Sequence, residues 1–127
     1  MDDTQSPGST RHTTVEEAID RRLQSLAAGA YRSNSRTVLT QFAAFLAEQR
    51  DVTRLSEVAV LDCRRYAQEL RRRVRQDDLS AASAQTYFDI VRAFWSWAVD
   101  DERVESNPAR PNRASEPLPA DRGDPDR

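Results

Sequence analysis

The chain has 127 residues, 38% of them hydrophobic and 31% charged, which is enough for one core of ordinary size but not for two full domains. No apolar run approaches the roughly 20 residues of a transmembrane helix, and the polar first ten residues show no signal-peptide pattern. One cysteine cannot form an internal disulfide, and one histidine cannot build a histidine-rich metal site. We therefore expect a cytoplasmic protein without a cofactor.

Charge is distributed unevenly, although the net charge is only −2. All 19 basic residues are arginine, and residues 30–99 carry eleven of them against eight acidic residues. Both flanking segments have an excess of acids. A basic centre suits an anionic partner, because the planar guanidinium group binds phosphate in two places. The alternative is an ordinary solvated surface, and charge alone favours that alternative.

Glycine and proline mark the boundaries of the domain. Neither residue occurs between Gly29 and Pro108, so this interval can be almost wholly helical. Five of the six prolines lie in the last 20 residues. We expect an N-terminal tail at residues 1–12, a helical domain at residues 13–106, and a proline-rich linker or disordered tail at residues 107–127.

The first predicted helix runs from about Thr14 to Ala28. Thr13 or Thr14 can cap its start, since a glutamate follows each three residues later and completes a capping box. Gly29 is a natural terminator for this helix. Its apolar residues recur at helical spacing, which predicts one buried face.

The second predicted helix runs from about Ser35 to Gln49, with Ser33 or Asn34 as its cap. Its apolar residues follow a helical rather than a strand period. They are Val38, Leu39, Phe42, Phe45 and Leu46.

The third predicted helix runs from about Val60 to Arg75, and its apolar residues alternate in three- and four-residue steps. Cys63 belongs to this stripe, so we expect a buried thiol that packs in the core rather than a reactive one. Other faces of the helix carry arginines. They are Arg64, Arg65, Arg71, Arg72 and Arg75.

The fourth predicted helix runs from about Ala81 to Asp100 after a capping Ser80. Its dense aromatic stripe marks it as the central packing element. Four amphipathic helices without a strand signal predict an all-α fold, a compact bundle of four main helices. The sequence contains no phosphate-binding glycine loop, no zinc-ligand spacing and no nucleophile with a plausible histidine base.

The fourth helix and its exit resemble a known family. Leu79-Ser80, the aromatic-rich stretch up to Val99 and the exit at Asn107-Pro108 are similar to the last helix of the N-terminal core-binding domain of tyrosine recombinases, the phage-integrase and Xer-type enzymes. The resemblance extends over about residues 14–109 and implies a SAM-like helical bundle. Ala59 departs from the pattern, because the family often has a capping serine or threonine there. We therefore expect a less sharply defined start of the third helix.

The resemblance implies DNA binding rather than strand cleavage. In the family, a proline-bearing linker leads to a catalytic domain with two arginines, a lysine, a His-x-x-Arg element and a nucleophilic tyrosine. None of these residues can be assigned in this sequence, so we expect a non-enzymatic module involved in DNA integration and recombination. Its expected partners are double-stranded DNA and a recombinase catalytic subunit or other recombinase protomers, with no membrane and no small-molecule substrate. The alternative is a helical protein-interaction module that binds a recombinase subunit or regulator.

The family's helical domain contacts the major groove and the phosphates, which implies DNA-binding residues at exposed helix starts and on basic faces. The first candidates, at the starts of the second and fourth helices and further along the fourth, are Arg32, Ser35, Arg36, Ser83, Gln85, Thr86 and Arg92. The second candidates, on the basic face of the third helix, are Arg64, Arg71, Arg72 and Arg75. For each of them, a solvated helix face or a cap is the alternative.

Overall fold

A computed structural model describes residues 13–119, and within this range it is helical without a strand. The helices are α1 (Val15–Ser25), α2 (Ala30–Gln49), a one-turn 3₁₀ helix (Leu55–Glu57), α3 (Val60–Arg75), α4 (Ala81–Asp100) and a short α5 (Asn112–Ser115). The prediction of an all-α bundle with four main helices is confirmed. The predicted tail at residues 1–12 and the last residues, 120–127, lie outside the described residues.

The start of α1 has the predicted capping box, with Thr14 rather than Thr13 as the cap. The Thr14 hydroxyl accepts from the Glu17 backbone N–H at 3.0 Å, and the Glu17 carboxylate accepts from the Thr14 N–H at 3.0 Å. Backbone hydrogen bonds also join Thr13 and Val15 to the segment just before the 3₁₀ helix. The helix ends at Ser25, earlier than expected, so Gly29 does not terminate it.

The predicted start of α2 at Ser35 is wrong, because the helix begins five residues earlier at Ala30. Gly29 is its N-cap, with a φ of 149° that side-chain-bearing residues rarely adopt. The first turn is closed by the Ser33 N–H donating to the Gly29 carbonyl at 3.1 Å. No side chain caps this start. The predicted caps, Ser33 and Asn34, lie inside the helix because it begins at Ala30.

The start of α3 is fixed by an acidic residue in its first turn. The Asp62 carboxylate accepts a hydrogen bond from the Ala59 backbone N–H at 2.8 Å. Its other oxygen accepts from Arg50 Nε at 2.9 Å, and the Asp62 side chain is almost fully buried. This is half of a capping box, because Ala59 has no side-chain acceptor to return the bond. The weakly defined start that Ala59 suggested is therefore compensated by Asp62.

The core forms around the aromatic side of α4. Trp95 is fully buried, and the Phe42 ring of α2 meets it edge-on with centroids 6.5 Å apart. Tyr66 of α3 packs against the other edge of Phe42 at 5.0 Å. Such edge-to-face contacts each add about 0.5–1.5 kcal/mol beyond the area they bury. Cys63 is fully buried beside them, as predicted, and burial raises the pKa of its thiol well above the usual range.

The segment after α4 folds back on the bundle, although we expected a linker or disordered tail from residue 107. Within residues 107–119, Ala109, Ala114 and Pro117 are buried, and α5 packs against α3. The prolines do not prevent this, because Pro111 precedes the first turn of α5, where a missing N–H costs nothing. Among the described residues, no helix combines the length and apolar character needed to cross a membrane.

Candidate nucleic-acid interface

The first halves of α2 and α4 lie side by side and enclose a shallow groove. Further along the same helices, Phe42 meets Trp95, so α2 and α4 run in roughly the same direction. The groove has a volume of about 310 Å³. Its lining residues are Asn34, Thr37, Val38, Ser83, Thr86, Tyr87 and Ile90.

Hydroxyl and amide groups dominate the polar lining of this groove. Ser80 caps α4 by accepting from the Ser83 N–H at 3.0 Å, as predicted, and its hydroxyl donates to the Ser83 oxygen at 2.9 Å. Thr37 donates to the Ser33 carbonyl one turn earlier at 3.3 Å, and Thr86 is exposed. Since both helices begin at this end, their positive dipole ends lie close together, which favours an anionic partner.

The predicted DNA-binding residues of α2 lie on different faces of the helix. Ser35 is only 1% exposed, so the expectation that it lies on an exposed helix start is wrong. It shares a face with Leu39 and Phe42, which point into the core. Arg32 is half-buried and its Nε has no acceptor among the described residues, whereas Arg36 is exposed and lines a separate groove beside α1.

Three predicted DNA-binding residues hold the C-terminal segment instead. Arg64 Nη1 donates to the Arg113 carbonyl at 2.6 Å and to the Glu116 carboxylate at 2.8 Å. Arg92 Nε donates to the Ala109 carbonyl at 3.2 Å, while its guanidinium group lies over a phenylalanine ring. Gln85 donates to the carbonyl of residue 119 at 2.7 Å. These three side chains therefore contact the C-terminal segment within the described part of the chain.

The other arginines of α3 divide into paired and unpaired groups. Arg72 forms a two-pronged ion pair with Glu69, with a shortest distance of 2.6 Å. This hydrogen bond holds the pKa of the Glu69 carboxyl below its usual value. Arg71 and Arg75 are exposed on α3, and neither side chain forms an ion pair with another described residue.

Two polar residues of the groove, Asn34 and Thr37, were not among the DNA-binding residues predicted from the sequence. Gln41, one turn further along α2, accepts from Arg73 Nη1 at 3.0 Å and so joins α2 to the basic end of α3. Asn34, Thr37 and Gln41 are spaced three and four residues apart and therefore share one face of a helix. This signal was present in the sequence, but it is visible only if the helix begins before Ser35.

The Phage integrase SAM-like domain family has a sequence model that matches residues 12–114 of this chain. No curated protein matches the chain, and no solved structure does. The match covers the helical domain that the fold describes, including the Asn-Pro exit from α4 and most of α5. The chain thus belongs to the phage integrase SAM-like domain family.

Proposed function

We propose that this chain is a DNA-binding module of a tyrosine-type site-specific recombinase, and that the α2–α4 groove faces duplex DNA. The observation that carries the proposal is the meeting of Asn34 and Thr37 with Ser83 and Thr86 in one groove. Short hydroxyl and amide side chains allow a helix backbone to come close to DNA and donate hydrogen bonds to phosphate oxygens. The B-DNA major groove, about 12 Å wide, admits one such helix.

Arginines outside the groove supply the positive charge in this proposal. Arg36 lies one residue before Thr37 and is exposed, and the exposed Arg71 and Arg75 of α3 form a second contact region. Neutralising phosphates releases bound counterions, which gives most of the affinity for non-specific DNA. Arg64, Gln85 and Arg92 are left out of this interface because the C-terminal segment engages them.

The module holds DNA in this proposal and takes no part in bond cleavage. The family's catalytic arginines, lysine, His-x-x-Arg element and nucleophilic tyrosine cannot be assigned in the sequence. Its partners are accordingly double-stranded DNA and a recombinase catalytic subunit or other recombinase protomers, and it acts in the cytoplasm, in contact with DNA.

Charge insertion into the groove tests the proposal. In the double variant Thr37→Glu/Thr86→Glu, two carboxylates face the DNA phosphates, and we expect at least a tenfold loss of affinity for a labelled 20-base-pair duplex at about 50 mM salt. Thr53→Glu is the matched control, because Thr53 is an exposed threonine beyond the far end of α2. Fluorescence anisotropy measures affinity, and circular dichroism confirms that all variants remain folded.

Equal affinities for the double variant and the Thr53→Glu control would contradict the groove assignment. Arg71→Ala/Arg75→Ala then tells whether α3 provides the contact instead. Absence of binding by the wild-type protein at low salt would contradict DNA binding altogether.

A further inference from the structure

A second and larger cleft lies at the opposite end of α4 from the α2–α4 groove. It has a volume of about 790 Å³ and is formed where the exit from α4 passes the 3₁₀ helix and the start of α3. Its walls are aliphatic in large part. The apolar residues among its lining are Leu55, Val58, Ala59, Val60, Trp95, Val99, Val104 and Pro108.

The rim of this cleft is acidic. Glu102 and Glu105 line it and are exposed to solvent. Arg103 also lines it, but its Nε donates to the Asp101 carboxylate at 2.7 Å and its guanidinium group lies 5.4 Å from the centre of the Trp97 ring. The positive charge of Arg103 is therefore matched locally, which leaves the two glutamates to set the potential of the cleft.

Trp95 contributes to the lining of this cleft from below. Its ring is fully buried and borders the cleft. Its indole N–H is also buried and has no acceptor among the described residues. Because this N–H is closed off from solvent, a bound chain does not reach it, but the ring lies close enough to the cleft to report on its occupancy.

We propose that this cleft docks a peptide segment of a partner protein in which aliphatic side chains alternate with arginine or lysine. The aliphatic groups pack against the wall between Leu55 and Val104, and the basic groups pair with Glu102 and Glu105. Charge complementarity selects this occupant over an acidic segment or DNA, because both would bring negative charge to an acidic rim. The inference does not depend on the DNA-binding function, since the two surfaces lie at opposite ends of α4.

The test uses three labelled hexapeptides: alternating leucine and arginine, alternating leucine and glutamate, and alternating serine and arginine. Only the leucine–arginine peptide is expected to bind, measured by fluorescence anisotropy at about 100 mM salt. Glu102→Gln/Glu105→Gln is expected to weaken its binding by about fivefold, since it removes two exposed ion pairs that are each weak. Glu16→Gln/Glu48→Gln, at exposed positions on α1 and α2, is the matched control and should leave the affinity unchanged.

Emission from Trp95 provides a second readout, which is isolated in a Trp97→Phe background. Binding of the leucine–arginine peptide should shift this emission, because the peptide replaces water in the cleft that the Trp95 ring borders. Equal binding of the serine–arginine peptide would overturn the proposal, since it would show that charge alone attracts the probe. Binding of no peptide, or an unchanged affinity in the Glu102→Gln/Glu105→Gln variant, would overturn it as well. Concentration-dependent dimerisation that this variant abolishes would assign the cleft to a second copy of the chain.

Discussion

Asn107 shows how one side chain can organise the exit from α4. Its amide nitrogen donates to the Arg92 carbonyl at 3.0 Å and to the Ser96 hydroxyl at 3.1 Å. Its amide oxygen accepts from the Ala109 N–H at 2.8 Å. The position therefore requires a donor and an acceptor on one short side chain, which an amide provides and a carboxylate does not.

Asn107→Asp is accordingly expected to destabilise the fold by about 2–4 kcal/mol at neutral pH, because it removes the donors and turns a carboxylate towards the Arg92 carbonyl. Urea unfolding measures the change. Asn112→Asp is the matched control at an exposed position and should change stability by less than about 0.5 kcal/mol. Similar losses in both variants would contradict this role for Asn107.

Glu69 makes a pH-dependent contribution, because its ion pair with Arg72 lowers its pKa in the folded state. A depressed carboxyl pKa stabilises the fold above the unfolded value of about 4.3, and this stabilisation disappears as the pH falls through the folded value. The urea midpoint of Glu69→Gln should therefore lie below that of the wild type at pH 7 and approach it near pH 3. Glu48→Gln, an exposed control on α2, should show no such convergence.

At the scale of the single element, the start of α3 is capped by one side chain, whereas a complete capping box uses two. Asp62 caps the Ala59 N–H, but Ala59 has no side-chain oxygen that could accept from the first-turn N–H groups of α3. The extended backbone of Ala59, with φ −109° and ψ 167°, already matches that of an N-cap. The missing half of the capping box can therefore be supplied without moving the backbone.

Ala59→Ser is expected to stabilise the protein by about 0.5–1 kcal/mol, because the new hydroxyl accepts from the first turn of α3. Thermal unfolding should show a higher midpoint. Ala47→Ser, at an exposed interior position of α2, serves as control and should lower the midpoint slightly, since serine is a poorer helix former than alanine. A lower midpoint for Ala59→Ser would show that the cap geometry is different.

The C-terminal segment is a structural element of the domain up to residue 119. It buries Ala109 and Ala114 completely, and arginines from α3 and α4 hold its backbone. A chain ending after residue 106 should therefore be less stable than a chain ending after residue 119 by about 2 kcal/mol or more. Chemical denaturation of the two truncated chains compares them directly, and equal stabilities would contradict the assignment.

At the scale of the whole molecule, the antiparallel course of the helices places different charged residues at the two ends of α4. The end that contains the starts of α2 and α4 also contains the C-terminal part of α3, with Arg71 and Arg75, followed by the exposed Asp77 and Asp78. The end that contains the exit from α4 carries Glu102 and Glu105. In the two proposals above, the arginines of the first end face DNA and the glutamates of the second end face a different partner.

DNA binding through the three arginines of the proposed interface, Arg36, Arg71 and Arg75, should depend on salt with a log–log slope near −0.9 per contact, or about −2.7 overall. Raising the salt from about 50 to 200 mM should then lower the affinity by a factor of about 40. Arg36→Ala should reduce the slope by about one contact, whereas Arg54→Ala, an exposed arginine near the far end of α2, should leave it unchanged. A slope near zero would contradict a phosphate-dominated interface.

The helices themselves could be predicted from local patterns. The bounds of α3 and α4, the caps at Thr14 and Ser80 and the burial of Cys63 follow from residues within one or two turns of each other. The start of α2 was placed wrongly because polar residues at 33 and 34 are typical caps, although Gly29 with its unusual φ begins the helix. That error concealed the burial of Ser35 and the shared face of Asn34 and Thr37.

The sequence by itself determined the class of fold, most of the apolar stripes that form the core, and the family, because helical periodicity and the absence of glycine and proline act over short stretches of chain. The tertiary structure alone decided which polar residues are free. Arg64 meets a carboxylate 52 residues away, and Gln85 meets a carbonyl 34 residues away. Such partners depend on how α3, α4 and the C-terminal segment pack, and a periodic pattern contains no information about contacts between distant segments.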